Sequence, residues 1–209
     1  MVKINKTLRR RANLRDALIA AAEKTIVAGG MNGLRARSLA FEVGCAVGAI
    51  YNVVNDIDDL ILAVNERTLS LLETALSNAL EGSPGGKADP ERAIDKLVSL
   101  ALAYLNFAAD HGFRWRAVFE HSMGEGRDVP DWYRVRQQRM FGYLDQPLSE
   151  LQPRLSPPQR AATARSLFSA VHGIVSLGLD EKVQAIALPD LRDQLASAVR
   201  AFGRGLMHE

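Results

Sequence analysis

Between Leu34 and Asn52 the chain gathers residue types suited to lying against a polyanion and reading its edges. Ala46, Gly48 and Ala49 carry almost no side chain, so the backbone around them can approach a phosphate closely. Tyr51 has a hydroxyl that can reach a phosphate, and Asn52 an amide that can pair with a base edge. Val47 and Asn52 are the side chains expected to set base preference. Arg35 and Arg37 stand just ahead of this run, and Lys6, Arg9, Arg10 and Arg11 form a basic cluster near the start. Residues 1–50 hold nine Lys or Arg against three Asp or Glu, whereas residues 51–209 hold seventeen against twenty-one. The small overall charge of +2 therefore hides a basic N-terminal part. That asymmetry fits a nucleic-acid partner, because cations that neutralise phosphates supply most of the sequence-independent affinity; a solvated charged tail is the alternative.

The elements that must position these residues are helical. Apolar residues recur at helical spacing throughout, and no stretch alternates long enough for a convincing strand, so the fold is expected to be all-α. Leu14, Leu18, Ala21, Ala22, Thr25 and Ile26 stripe a first helix that Gly29 and Gly30 stop. Two short helices, about residues 35–43 and 46–53, meet at Gly44 with the proportions of a helix-turn-helix. Asn55, Asp56 or Asp58 can cap a long fourth helix. The Gly- and Pro-rich segment Glu81 to Pro90 is the clearest linker. Beyond it, helices are expected from Pro90 to Asp110, His111 to Ser122, about Pro130 to Pro147, from Pro157 onward, and from Pro189 to Leu206.

Ala21-Ala22, Gly30, Ala40, Gly44-Cys45-Ala46, Gly48-Ala49-Ile50-Tyr51 and Leu60 stand in the register of a known pattern. In these residues the chain resembles the tetracycline-repressor (TetR) family of bacterial transcription regulators. Tyr104 to His111 and Phe168 to Gly173 are similar to the C-terminal domain of a subgroup named for a Trp-His-Gly signature, with the Trp absent here. The resemblance implies a three-helix, helix-turn-helix DNA-binding domain over 1–56, with a basic arm for the minor groove. A helical-bundle ligand-binding and dimerisation domain would follow over 57–209. The implied activity is that of a ligand-responsive regulator, a repressor released from a palindromic double-stranded operator by a small apolar or aromatic effector. The family's phosphate-contacting hydroxyls fall on Ala46 and Ala49, its Phe on Val54 and its Lys on Ile57, while Asp56, Asp58 and Asp59 add negative charge nearby.

The second domain carries most of the aromatic residues. Tyr104, Phe107, Trp115, Phe119, Met123, Trp132, Met140, Phe168 and His172 are as a set the expected lining of an effector pocket, although an aromatic residue at helical spacing is more often core than pocket. Ala161, Ala164, Phe168 and Val171, with Leu191, Leu195, Val199 and Phe202, are the expected homodimer interface, which Leu195→Asp should then break into monomers. The four histidines lack ligand spacing, so neither a metal nor another cofactor is expected. Cys45 reads as a small packed hydrophobe, and no catalytic constellation is present. Two other classes stay open: a helical binding or adaptor protein without operator affinity, and a helical enzyme. No stretch suits a signal peptide or a membrane span, so a cytoplasmic location is expected.

Overall fold

A computed structural model describes residues 2–81, 89–124, 126–183 and 185–207. Among them are nine α-helices, two short 3₁₀ turns and no strand: α1 (Val2–Gly29), α2 (Ala36–Val43), α3 (Val47–Ile50), α4 (Ile57–Glu81), α5 (Pro90–Asp110), α6 (Gly112–Glu120), α7 (Asp131–Leu151), α8 (Pro157–Gly178) and α9 (Leu188–Leu206). None of the described helices is long and apolar enough to cross a membrane. Most of the expected linker, residues 82–88, lies outside the described residues.

The helices pack into two compact units, one of residues 1–70 with 111–134, the other of 71–110 with 135–209. This division differs from a boundary at residue 56. The first turns of α4 and all of α6 belong to the N-terminal unit, because their apolar faces complete its core. Leu18, Ala22 and Ile26 lie four residues apart on α1 and are fully buried there, with Leu39, Ile50, Leu60, Val64 and Ala117 around them. Asn65, buried on α4, donates from Nδ2 to the Ala117 carbonyl of α6 at 2.8 Å. Arg114 of α6 and Arg67 of α4 both hold Glu23 of α1, at 2.7 and 2.6 Å. Burial alone would raise the Glu23 carboxyl, but the hydrogen bonds from Arg67 and Arg114 outweigh it and leave its pKa lowered.

The second unit is built on α5, α8 and α9. Ile94, Leu97 and Leu105 of α5 are buried, as are Leu167, Val171 and Val175 of α8 and Leu191, Leu195 and Val199 of α9. Two glycines let these helices close on one another. A Cβ on Gly203 of α9 would stand 2.8 Å from the Ile94 side chain, and one on Gly178 of α8 would collide with Leu191. Lys96 and Glu150 form a largely buried pair at 2.9 Å. The α8 start has the expected chemistry, with Pro157 after Ser156 and the Ser156 N–H donating to Gln159 Oε1 at 2.9 Å.

The helix ends depart from expectation in three places. α1 begins at Val2, so the basic residues expected to form a minor-groove arm are helical; Leu, Lys and Arg are good helix formers even without an apolar stripe. α3 ends at Ile50, three residues early. α7 runs through Pro147 to Leu151, since proline's missing N–H costs one hydrogen bond and Leu148 and Leu151 are buried beyond it.

Candidate nucleic-acid interface

Gly44 makes the turn between α2 and α3. Its φ of 72° lies in the left-handed region, which glycine enters without penalty. The Cys45 N–H reaches back to the Ala40 carbonyl at 2.9 Å, closing α2 by the turn that a left-handed residue permits. Ala46, extended, opens α3, and Ile50 on its inner face is fully buried. The outer face presents Ala46, Val47, Gly48, Tyr51 and Asn52 to solvent with Ala49 half-buried; Tyr51 is 51% exposed and Val47 39%. Residues 43–55 carry no charge at all.

The cations surround this uncharged segment. Arg35 sits at the α2 N-terminus and donates to the Leu34 carbonyl at 2.9 Å, while Arg37 is exposed in the first turn. Lys6, Arg9 and Arg10 are exposed on α1, and no ion pair engages them or Arg37 among the described residues. Arg11 is employed differently from its expected role in the arm. Its guanidinium donates to the Asn52 carbonyl, from Nε at 3.2 Å and also from Nη2, so it fastens α1 to the segment that follows α3.

The three carboxylates after this segment are accounted for locally. Asp56 caps α4 by accepting the Asp59 N–H at 3.1 Å, and Asp59 accepts from the Asn55 backbone and side-chain nitrogens at 2.8 and 2.7 Å. Arg127, from the loop between α6 and α7, pairs with Asp56, with Asp58 at 3.3 Å and with Asp59 at 3.8 Å. A cation distant in sequence thus screens the acids that would otherwise repel phosphate. His121 Nε2 lies 3.6 Å from Asp58 in the same cluster. Burial lowers the His121 pKa, with Asp58 opposing, and burial likewise lowers that of His172.

A lowered histidine pKa means the unfolded chain takes up protons before the folded one does. Stability contributed this way is present above pH about 6.5 and is lost as the pH falls through the folded values. Thermal melts between pH 8 and pH 5 should therefore show a falling Tm below about pH 6.5. The fall should flatten in a His121→Gln, His172→Gln double variant; an unchanged pH profile there would assign the loss to other groups.

The expected effector residues divide between the two units. Trp115, Phe119, Met123 and Trp132 belong to the N-terminal unit, and Tyr104, Phe107, Met140, Phe168 and His172 to the other. Trp115 is core, 5.5 Å from the Phe119 ring. Trp132 is 49% exposed and lines a groove of about 340 Å³ with Arg15, Asp16, Glu66 and Arg67, a charged surface unlike an apolar pocket. In the second unit, Tyr104, Phe168 and His172 do come together. Tyr104 Oη lies 2.7 Å from His172 Nδ1, and the Phe168 ring meets those of Tyr104 at 5.7 Å, Phe141 at 5.4 Å and His172 at 5.6 Å. Phe107 is buried and Met140 half-buried. Phe141 of α7 joins this group through its edge-on contact with Phe168. Among the described residues no group of His, Cys, Asp or Glu could hold a metal ion.

Residues 97–202, over half of the chain, match the tetracyclin repressor-like C-terminal domain family. The chain belongs to the tetracycline-repressor family. The match covers both segments that resemble the Trp-His-Gly subgroup. Solved structures agree along nearly the whole length of this TetR-family protein. A Rhodococcus sp. RHA1 protein of unknown function is 25% identical, with 93% of this chain and 95% of that one covered and a TM-score of 0.71. A TetR-like transcriptional regulator from the same organism is 16% identical over 94% and 97%, with a TM-score of 0.58. PfmR, a TetR-family transcriptional regulator from Thermus thermophilus, is 15% identical over 91% and 97%, with a TM-score of 0.55. No curated protein matches the chain. Membership makes this TetR-family chain a DNA-binding transcriptional regulator. The family's Phe position is filled by Val54, which is buried in the core of the N-terminal unit.

Proposed function

We propose that this regulator is a homodimeric repressor whose α3 segments enter successive major grooves of a palindromic operator and which a small apolar or aromatic effector releases. The observation that carries the DNA reading is the arrangement around α3: an exposed uncharged segment of small residues flanked by Lys6, Arg9, Arg10, Arg35 and Arg37. Small residues let the backbone close on the duplex, and the cations hold it there. The aromatic group of Tyr104, Phe141, Phe168 and His172 is the proposed effector contact, since it combines π surface with polar atoms at one place. α4 is continuous from the unit holding α3 into the unit holding that group, so an effector that prefers one setting of α4 shifts operator affinity by its ratio of affinities.

Purified protein mixed with fragmented genomic DNA from its host tests the reading. Selective, salt-sensitive retention of a few fragments is the expected result. Replacing Lys6, Arg9 and Arg10 together by Ala should weaken binding on every sequence and flatten the slope of log affinity against log salt by roughly 0.9 for each lost phosphate contact. Retention without sequence preference, or none at all, would leave the adaptor reading in its place.

A further inference from the structure

We infer that α3 recognises its half-site chiefly through the C5-methyl group of pyrimidines, with Val47 as the side chain that feels it. The inference rests on the operator-binding role proposed above and specifies what that site reads. The major groove offers hydrogen-bond donors and acceptors on every base pair, but only one apolar group, the thymine methyl. The commonest way to select guanine is a bidentate Arg or Lys, and residues 43–55 hold neither. Along α3 and its flanks, Ala46 and Val47 are exposed and purely apolar and Ala49 is half-buried; Tyr51 and Asn52 are exposed and can form hydrogen bonds, and the Asn55 amide is held by Asp59. Val47 is the larger of the two exposed apolar side chains and stands 39% exposed at the first position of the helix. Gly48 beside it has open space where a Cβ would stand, so nothing keeps Val47 from close approach to a base edge. The Asn52 carbonyl is occupied by Arg11, which ties down the chain five residues after Val47.

Two consequences follow from chemistry alone. Removing the methyl, by replacing thymine with uracil, weakens binding without altering any hydrogen-bonding group. Adding the same methyl to cytosine, as 5-methylcytosine, restores contact at that point, which makes the protein sensitive to C5-methylation of DNA.

The test begins with selection of binding sites from a random duplex pool by the full-length protein. The expected site has thymine at one or two adjacent positions of each half-site. Affinity is then measured on duplexes carrying thymine, uracil, cytosine or 5-methylcytosine at those positions, for the wild type and for Val47→Ala. Burying one methyl corresponds to about fourfold in affinity, so uracil should lower wild-type binding by about that factor per half-site. 5-Methylcytosine should bind more tightly than cytosine. Val47→Ala should lose both differences while retaining the wild-type melting temperature, because the side chain is largely outside the core. Arg37→Ala, acting on phosphate, should weaken all four duplexes alike. Equal binding to thymine and uracil by the wild type, or selection of guanine at the positions that Val47→Ala relaxes, would overturn the inference and leave operator binding standing. Failure to enrich any sequence would overturn the proposed function itself.

Discussion

Leu195→Asp is expected to unfold the protein rather than to release monomers. Leu195 is fully buried on α9, with Leu191 and Val199 on the same face, and that face lies in the core of the second unit. Truncating such a leucine to alanine costs about 2–5 kcal/mol, and a carboxylate adds the penalty of burying an unpaired charge. The sum is comparable to the entire stability of an ordinary domain, about 5–15 kcal/mol. Circular dichroism should show loss of helix or a transition below 40 °C in place of a folded monomer. The residues expected to face a partner must accordingly be divided. Ala164, Val171, Leu191, Leu195 and Val199 are spent inside the protomer, and Phe168 and Phe202 are half-buried. Ala161 stays exposed, on α8, and so do Ala162, Ser166, Ala170 and the 59% exposed Leu177, which fall on one stripe of that helix. Ala170→Arg is the substitution that should separate a dimer formed through α8 without loss of helix. Sedimentation of that variant as an unchanged dimer would place the interface elsewhere.

Gly44→Val should abolish selective DNA binding while Gly44→Asn spares most of it. No atom lies within 4 Å of where a Cβ would stand, so the effect of either side chain is confined to the backbone. At a φ of 72° a β-branched residue pays roughly 2 kcal/mol or more, whereas asparagine enters the left-handed region readily. The valine variant can relieve its strain only by reopening the turn, which moves α3 relative to α2. A displacement that costs even 1.4 kcal/mol of contacts lowers affinity about tenfold. Binding of both variants to a selected site, alongside their melting curves, distinguishes the cases. Equal binding by valine and asparagine variants would show that the turn geometry does not govern recognition.

Much of this architecture was legible in the residues. The α1 stripe of Leu18, Ala22 and Ile26, the glycines at 30 and 44, the cap at Asp56 and the proline at 157 each announce themselves through local physics, and each is found in its expected role. What could not be read was the identity of the partner across each apolar face. Periodicity shows that Leu191, Leu195 and Val199 share a face, but it is silent on whether α5 or a second protomer covers it. Trp115 and Ala117 likewise give no local sign that α6 completes the core around α1 and α4, because those contacts span about fifty residues of chain to α4 and about ninety to α1. Arg11 and Arg127 were indistinguishable in sequence from other surface cations, and only the fold brings one to the Asn52 carbonyl and the other to three carboxylates.

The placement of residues 111–134 also bears on how this gene could be recombined. The simplest exchange of N-terminal heads between relatives is a single cut after α3. Here such a cut would separate Glu23 from Arg114 and Arg67, and Leu18, Ala22 and Ile26 of α1 from Leu60, Val64 and Ala117 in the same core. A transplant that keeps the head intact must carry two stretches of coding sequence, through Ser70 and again from His111 to Arg134. The reading module of this regulator is therefore discontinuous in its gene, and crossovers that move only the first stretch deliver a head without part of its own core.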